Sequence, residues 1–273
     1  MGAKMTRDQL LVVKIGGGAG LDLPATCDDL AAIAGRRALV VVHGVSAIMD
    51  QMCHDLGIEV QALTSPSGHS SRYTPPAVRD IYVRASESAN QILVSALRQR
   101  GVNALGMLGD NVVISGRRKR AIRAVVNGRV RIVRDDCSGS IQSVRGDDLR
   151  RALDEGHIPV LPPMASGDEG LLNVDGDRAS AAAANALAAS TLVILSNVKG
   201  LYRDFPDESS FVSAVAPWQI DSAETWARGR MKRKVLAARE ALDGGVSQVI
   251  IADGRVPQPV TNALAGAGTR FGA

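Results

Sequence analysis

Short apolar runs alternate along this chain with longer segments whose apolar residues recur at spacings of three and four. That alternation predicts an α/β protein built on a mostly parallel sheet. Residues 10–15 read as a buried strand entering Gly16-Gly17-Gly18, and residues 38–42 as a second strand ending at His43-Gly44. From 76 to 100, Val78, Ile81, Tyr82, Ala85, Ala89, Ile92 and Leu93 keep helical spacing. The Pro75-Pro76 start suits a first helical turn, where proline's missing N–H costs nothing.

Strands are expected at 104–108 and 112–115, followed by a hairpin of 121–126 and 130–134 around Asn127-Gly128. Asn-Gly is the pair best suited to a tight hairpin turn. A helix at 147–155 and a strand at 158–161, closed by Pro162-Pro163, complete the first half. The second half continues with helix 177–189, strand 192–196, helix 230–242 and strand 248–252. No Pro- or Ser-rich linker intervenes, so both halves are expected to share one sheet, with a boundary near Asn173.

A length of 273 residues, with 45% hydrophobic and 22% charged, supports a well-buried core in one large or two coupled domains. No apolar run approaches the roughly 18 to 20 residues that span a bilayer. The apolar run at 10–13 is too short for a signal-peptide core, so a cytoplasmic location is expected. Cys27, Cys53 and Cys137 stand far apart without CxxC spacing and read as reduced, buried thiols. His43, His54, His69 and His157 show no metal-ligand spacing, so no protein metal site is expected.

The pI of about 9.2 is informative because the basic residues are clustered. Residues 111–134 hold eight Lys or Arg and no acid, and residues 228–239 hold six and no acid. Such patches attract polyanions or an acidic protein. Aromatics are only 3% of the chain and none lies in either cluster, which argues against a base-stacking nucleic-acid surface.

Lys14-Ile15-Gly16-Gly17-Gly18 sets a lysine at a strand end before glycines, whose bare amides can approach phosphate oxygens. It is not a P-loop, since GxxxxGK[ST] is absent. Alone it reads equally as a plain strand–turn–helix. His43-Gly44 adds a second tight turn at the same sheet edge, the edge where open α/β sheets bind ligands. Gly229-Arg230-Met231-Lys232-Arg233-Lys234 opens a helix with basic residues that oppose its dipole, as an anionic ligand there would explain. The plain alternative is a solvated basic face. In Asn173-Val174-Asp175-Gly176-Asp177, Asp177 reads either as an N-cap or as a carboxylate orienting the two lysines.

Taken in order, VVKIGGG, VVHG, SRYT, RDD-x-x-G, NVDGD, LSNVKGL, GRMKRKV and ADGR resemble the amino-acid-kinase family, N-acetylglutamate-kinase branch, over nearly the whole chain. Arg117-Arg118-Lys119, Arg203-Asp204-Phe205-Pro206-Asp207-Glu208 and Ala252-Asp253-Gly254-Arg255 further resemble the kinases acting on 2-aminoadipate or glutamate carried by an acidic amino-group carrier protein of the LysW type. The resemblance implies a three-layer αβα sandwich of the carbamate-kinase-like kind. Residues 1–175 would form the acyl-substrate lobe and 176–273 the ATP lobe.

It also implies roles. Lys14 would contact the transferring phosphoryl group, Lys234 the β- and γ-phosphates, and Asp177 would hold both lysines. Gly16, Gly17, Gly44 and Val45 would line the phosphates, with Gly17 and Gly44 donating backbone N–H groups. Arg72 would pair with the substrate's α-carboxylate, with a surface arginine as the plain alternative, and Asn173 would bind the same end. Ser196, Asn197 and Gly200 would lie along the nucleotide. Arg117, Arg118, Lys119, Arg120 and Arg123 would project outward to meet the carrier. ATP would be the phosphoryl donor, with Mg²⁺ held mainly by the nucleotide, and the chain would form a homodimer through the long helix from Pro76.

Three departures from the family pattern fall near the substrate: Val45 where a glycine is usual, Gly106-Met107-Leu108-Gly109-Asp110-Asn111, and His69-Ser70-Ser71 before Arg72. A β-branched residue disfavours positive φ and would set two methyls beside the phosphate path. Two further readings stay open. One is a kinase for free N-acetylglutamate, with no need of the basic hairpin. The other is a nucleotide-binding regulator that has lost catalysis, which Val45 favours and intact Lys14, Asp177 and Lys234 oppose.

Overall fold

The computed structural model describes residues 10–66, 68, 70–126 and 128–272; residues 1–9, His69 and the Asn127 of the expected hairpin turn lie outside them. Runs rich in Val, Ile and Leu build an eight-stranded central sheet. Its order is Ala214–Val215, Thr269–Gly272, Gln248–Asp253, Thr191–Ser196, Leu11–Ile15, Leu39–His43, Ile158–Leu161, Ala104–Gly106. Six neighbouring strands, from Gln248–Asp253 to Ala104–Gly106, run parallel, and Thr269–Gly272 pairs antiparallel at one side. Strands from both sides of residue 175 share the sheet, as expected.

Helices cover both faces, which is why these strands are continuously apolar rather than alternating. Leu11, Val13 and Ile15 pack with Leu30, Leu93, Leu97 and Val260, from helices Leu23–Ala34, Pro76–Arg98 and Pro259–Leu264. Val12, Val40 and Val42 pack on the other side with Ala181, Ala184, Val235 and Ala238, from helices Gly176–Leu187 and Met231–Asp243. The architecture is the expected three-layer sandwich. Alanines on the last two helices are buried and let both lie close to the sheet and to each other. Because strand side chains alternate faces, Lys14 shares the face of Val12, directly beneath those two helices.

Residues before 175 add further layers. A four-stranded sheet runs Gly170–Asn173, Met164–Gly167, Ile114–Arg118, Gly139–Val144, and hairpins form at Ala62–Thr64 with Ser70–Arg72 and at Ile122–Val126 with Arg129–Val133. A third apolar cluster, including Val45, Met49, Ile81, Tyr82 and Val112, joins helix Ser46–Asp55 to Pro76–Arg98.

Two boundaries and one added helix differ instructively from the sequence reading. The strand expected at 112–115 is Ile114–Arg118, because Val112 and Val113 are sunk into two different core clusters while Arg117 and Arg118 pair with Ser140 and Gly139. The helix expected to reach 100 stops at Arg98, just before Gly101 at φ 77°. Helix Leu23–Ala34 was not anticipated, although Asp22 caps it by accepting from the Ala25 N–H at 2.9 Å.

Candidate active site

The carboxyl ends of Leu11–Ile15, Leu39–His43 and Thr191–Ser196 lie side by side, and the first turns of helices Gly176–Leu187 and Met231–Asp243 meet them there. Asp177 stands at the centre. One carboxylate oxygen lies 2.8 Å from Lys14 Nζ, and Lys234 Nζ donates to both oxygens at 2.9 and 3.2 Å. All three side chains are at least nine-tenths buried. Burial alone would push the Asp177 carboxyl up, but the two ammonium groups outweigh it and hold the carboxyl well below the usual range. Burial, and then the like charge of Lys14, push Lys234 down against the pull of Asp177.

Asp177 is free for this work because it is not the helix cap. Asp175 is: its Oδ1 accepts from the Asp177 and Arg178 N–H groups at 3.0 Å each. Its Oδ2 accepts from Arg233 Nη1 at 2.9 Å. Asp175–Arg233 and Asp177–Lys234 thus tie the same two helix starts together, and Arg178–Glu240 at 2.6 Å adds a third pair further along. Arg233 also donates to the carbonyl of Ser70, on the hairpin that ends in Arg72. Asp175 and Arg233 were missed as site residues, though both fall inside motifs already singled out.

The glycine loops need correction. Gly17 and Gly44 pack back to back: a Cβ on Gly17 would stand 2.2 Å from the Val45 nitrogen, and one on Gly44 would stand 2.3 Å from the Gly17 nitrogen. The Gly44 N–H already donates to the Ile15 carbonyl at 2.9 Å, so it is not a phosphate donor. Val45 adopts φ −134°, where no glycine is required, and its side chain is buried in the cluster with Met49 and Tyr82 rather than beside a phosphate path. Gly16 packs against Leu21 and the Leu195 carbonyl. A Cβ on Gly18 would stand 3.7 Å from Arg230 Nη1, so the loop and the basic helix start are neighbours. Beneath them His43 is buried and pushed down to about 4, chiefly by burial, so it is neutral at pH 7. Asn90 Nδ2 lies 3.1 Å from its Nε2 and 2.9 Å from the Val160 carbonyl.

Where the acceptor is expected, Arg72 is mostly buried, and its Nη2 donates to Asp50 at 2.5 Å. Asn173 Nδ2 donates to Thr74 Oγ1 at 3.0 Å. Asp136, fully buried, accepts from the Thr74 and Ser138 N–H groups at 2.8 and 2.7 Å and so ties Thr74 to the segment that follows strand Arg129–Val133.

Among the expected carrier contacts, Arg117, Arg120 and Arg123 are exposed. Arg118 turns inward instead: it pairs with Glu169 at 2.6 Å and donates to the Asp136 and Arg134 carbonyls, so its donors are committed to the fold. Lys119 is solvent-accessible yet sits in the field of Arg178 and Arg233. Desolvation and then those two cations lower its pKa, against the opposing pull of Asp136 and Asp175. The second basic cluster is likewise divided, since Arg239 pairs with Asp221 and Glu224.

Ser196 is buried and its carbonyl accepts from the Gly254 N–H at 2.7 Å, while Asn197 is exposed. A Cβ on Gly200 would stand 2.5 Å from Thr269 Oγ1, which gives that glycine a packing reason of its own. Among the described residues no cluster of three or more His, Cys, Asp or Glu is placed to hold a metal. Nor is any helix among them long and apolar enough to cross a membrane. What gathers at this sheet edge is cationic, and it suits a polyphosphate.

Comparison with known proteins agrees with this geometry. The chain is 42% identical over 95% of its length to the [LysW]-aminoadipate kinase of Deinococcus radiodurans, covering 90% of that protein. It is 39% identical over 95% of its length to the [LysW]-aminoadipate kinase of Thermus thermophilus, covering 99% of it. Among solved structures it resembles N-acetylglutamate synthase from Neisseria gonorrhoeae, with TM-score 0.79 and 23% identity over 97% of this chain and 59% of that one. Carbamate kinase from Giardia lamblia matches at TM-score 0.66 and 17% identity, over 97% and 98% of the two chains. At such identities these two likenesses speak for the fold alone. The model of the amino acid kinase family matches residues 9–253, and the chain belongs to that family.

Proposed function

We propose that this chain is an ATP-dependent kinase that phosphorylates the side-chain carboxylate of 2-aminoadipate, glutamate or a modified analogue. The acyl group is carried on an acidic LysW-type carrier protein, and the product is an acyl phosphate. The observation that carries the reading is the buried Lys14–Asp177–Lys234 unit at the sheet edge, in a chain 42% identical to a kinase of that name.

In-line attack by the acceptor carboxylate on the γ-phosphorus forms the new P–O bond as the bond to the β-phosphate oxygen breaks and ADP leaves. No base is needed, because a carboxylate is already ionised at pH 7. The protein must bring two anions together and stabilise charge that shifts toward the leaving group. Lys14, at the end of the strand, meets the transferring group. Lys234, in a basic first helical turn, faces the β- and γ-phosphates. Asp177 keeps both ammonium groups aimed despite their burial. Magnesium, when bound with the nucleotide, supplies further neutralisation of the phosphates. Residues 1–175 would hold the acyl group, Arg72 and Asn173 taking its α-carboxylate end. Residues 176–273 would hold ATP along Ser196, Asn197 and Gly200.

A homodimer through helix Pro76–Arg98, whose Ile92 is exposed, and a cytoplasmic location belong to the same reading. The regulator reading loses its main support, because the Val45 methyls are core. Hydroxylamine trapping tests the proposal: hydroxamate is expected from ATP and carrier-linked aminoadipate. Hydroxamate from free N-acetylglutamate alone would move the chain to that substrate, and silence with both would sink the assignment.

A further inference from the structure

Arg72 sits at an odd place in the polar accounting of the molecule. One edge of its guanidinium is used, since Nη2 donates to Asp50 at 2.5 Å. Its Nη1 is buried and has no hydrogen-bond partner among the described residues. A buried donor left unmade is costly, and native structures rarely keep one without a reason. Arg72 also lines a cavity of about 130 Å³ beside Cys53, Gln61 and Tyr73. A planar guanidinium with donors to spare, mostly withdrawn from water and bordering a cavity, matches a waiting carboxylate.

Asp50 decides how that guanidinium is presented. It lies on helix Ser46–Asp55, which begins at the His43-Gly44-Val45 turn and is anchored through Met49 and Cys53 in the core. Its carboxylate is half exposed, whereas Arg72 is 17% exposed. The acid therefore reaches in from the surface to hold one edge of a mostly buried cation, and leaves Nη1 without a partner among the described residues. A counter-ion that merely neutralised Arg72 would have no need to leave a buried donor empty.

We infer that Asp50 is a positioning residue for the acceptor. By gripping Nη2 it locks the Arg72 guanidinium so that Nη1 meets the acceptor's α-carboxylate. The inference rests on the reading of Arg72 given under Proposed function and adds to it the group that sets the arginine's orientation. Asp50 touches neither substrate nor phosphate and acts only through Arg72.

The test compares the wild type with D50A, D50N, R72A and the double variant D50A/R72A, using hydroxamate formation from carrier-linked aminoadipate. D50A is expected to raise the acceptor KM by about tenfold or more, with kcat and the KM for ATP changed by less than about twofold. D50N, which keeps an oxygen acceptor, should recover most of the loss. In the R72A background, removal of Asp50 should add nothing to the acceptor KM, as expected if it acts only through Arg72. An acceptor KM that is flat or lower in D50A overturns the inference while wild-type turnover keeps the functional reading. A wild type silent on both the carrier substrate and free N-acetylglutamate fails the functional reading, and the inference falls with it.

Discussion

On the nucleotide side of the proposed transfer path, Lys14, Asp177 and Lys234 are each less than a tenth exposed and locked to one another. On the acceptor side, Arg117, Arg120 and Arg123 face water, and so do Val125, Val130 and Ile132 on one face of the Ile122–Val133 ribbon. In the proposed reaction the first region would fix charge where charge moves, and in a dry setting such charges act strongly. The second offers mixed charge and apolar surface of the kind that meets a protein partner, where screening weakens each charge. On the proposed function, the contrast teaches that like charges in one chain can have two jobs: buried lysines would carry chemistry, and exposed arginines would carry encounter.

The sharpest way to break that contrast is to remove Asp177. D177A leaves two buried ammonium groups uncompensated and should cost about 3–5 kcal/mol of stability, read from urea unfolding, with turnover lost as well. K14M and K234M should each lower kcat by about 10²–10³ while leaving the circular-dichroism spectrum unchanged. Near-normal turnover in both would remove the buried side from the account.

His43 supplies a pH test of the dry interior. Its folded pKa of about 4 lies below the ordinary 6.5, so the unfolded chain takes up the proton first. Stability should therefore rise with pH across the window from about 4 to 6.5, by about 3 kcal/mol at most. That slope should shrink in H43Q. V45G should cost about 2 kcal/mol of stability and bring no gain in turnover, because it deletes buried methyls. A clear gain in turnover would restore Val45 to the phosphate path.

The smallest expected effect is on the exposed side. R117E with R123E should raise the carrier KM severalfold at low salt and hardly at all at high salt, kcat staying put. Equal KM at both ionic strengths would deny the surface its part in encounter.

Much of the fold was legible because it rests on period. The strands at 10–15, 158–161 and 248–252 and the helix from Pro76 declare themselves through apolar spacing, and the structure moves their ends by no more than two residues. Lys14, Asp177 and Lys234 were legible as motifs, and the structure brings all three together. Two short strands escaped: Met164–Gly167 and Gly170–Asn173 mix glycine and polar residues with apolar ones, so no apolar run marks them as it marks the equally short Ile158–Leu161. Asp50 escaped for a different reason, since nothing local in Ser46–Asp55 marks it and its partner lies 22 residues away. Val45 was misread because a family pattern of glycines suggests a conformational need, while φ and burial at that position follow from the helix that starts there.

The back-to-back contact of Gly17 and Gly44 sets different tolerances at adjacent positions of this loop. Even one added carbon at either glycine would fall 2.2–2.3 Å from the facing backbone, so neither position admits alanine without prising the two loops apart. Residue 45 faces a packed side-chain cluster instead, where apolar residues close to valine in volume are tolerated best. In a saturation-mutagenesis survey the loop should therefore read as two intolerant columns, 17 and 44, with a permissive apolar column at 45. A designer seeking to retune this enzyme has freedom one peptide away from a position that has none.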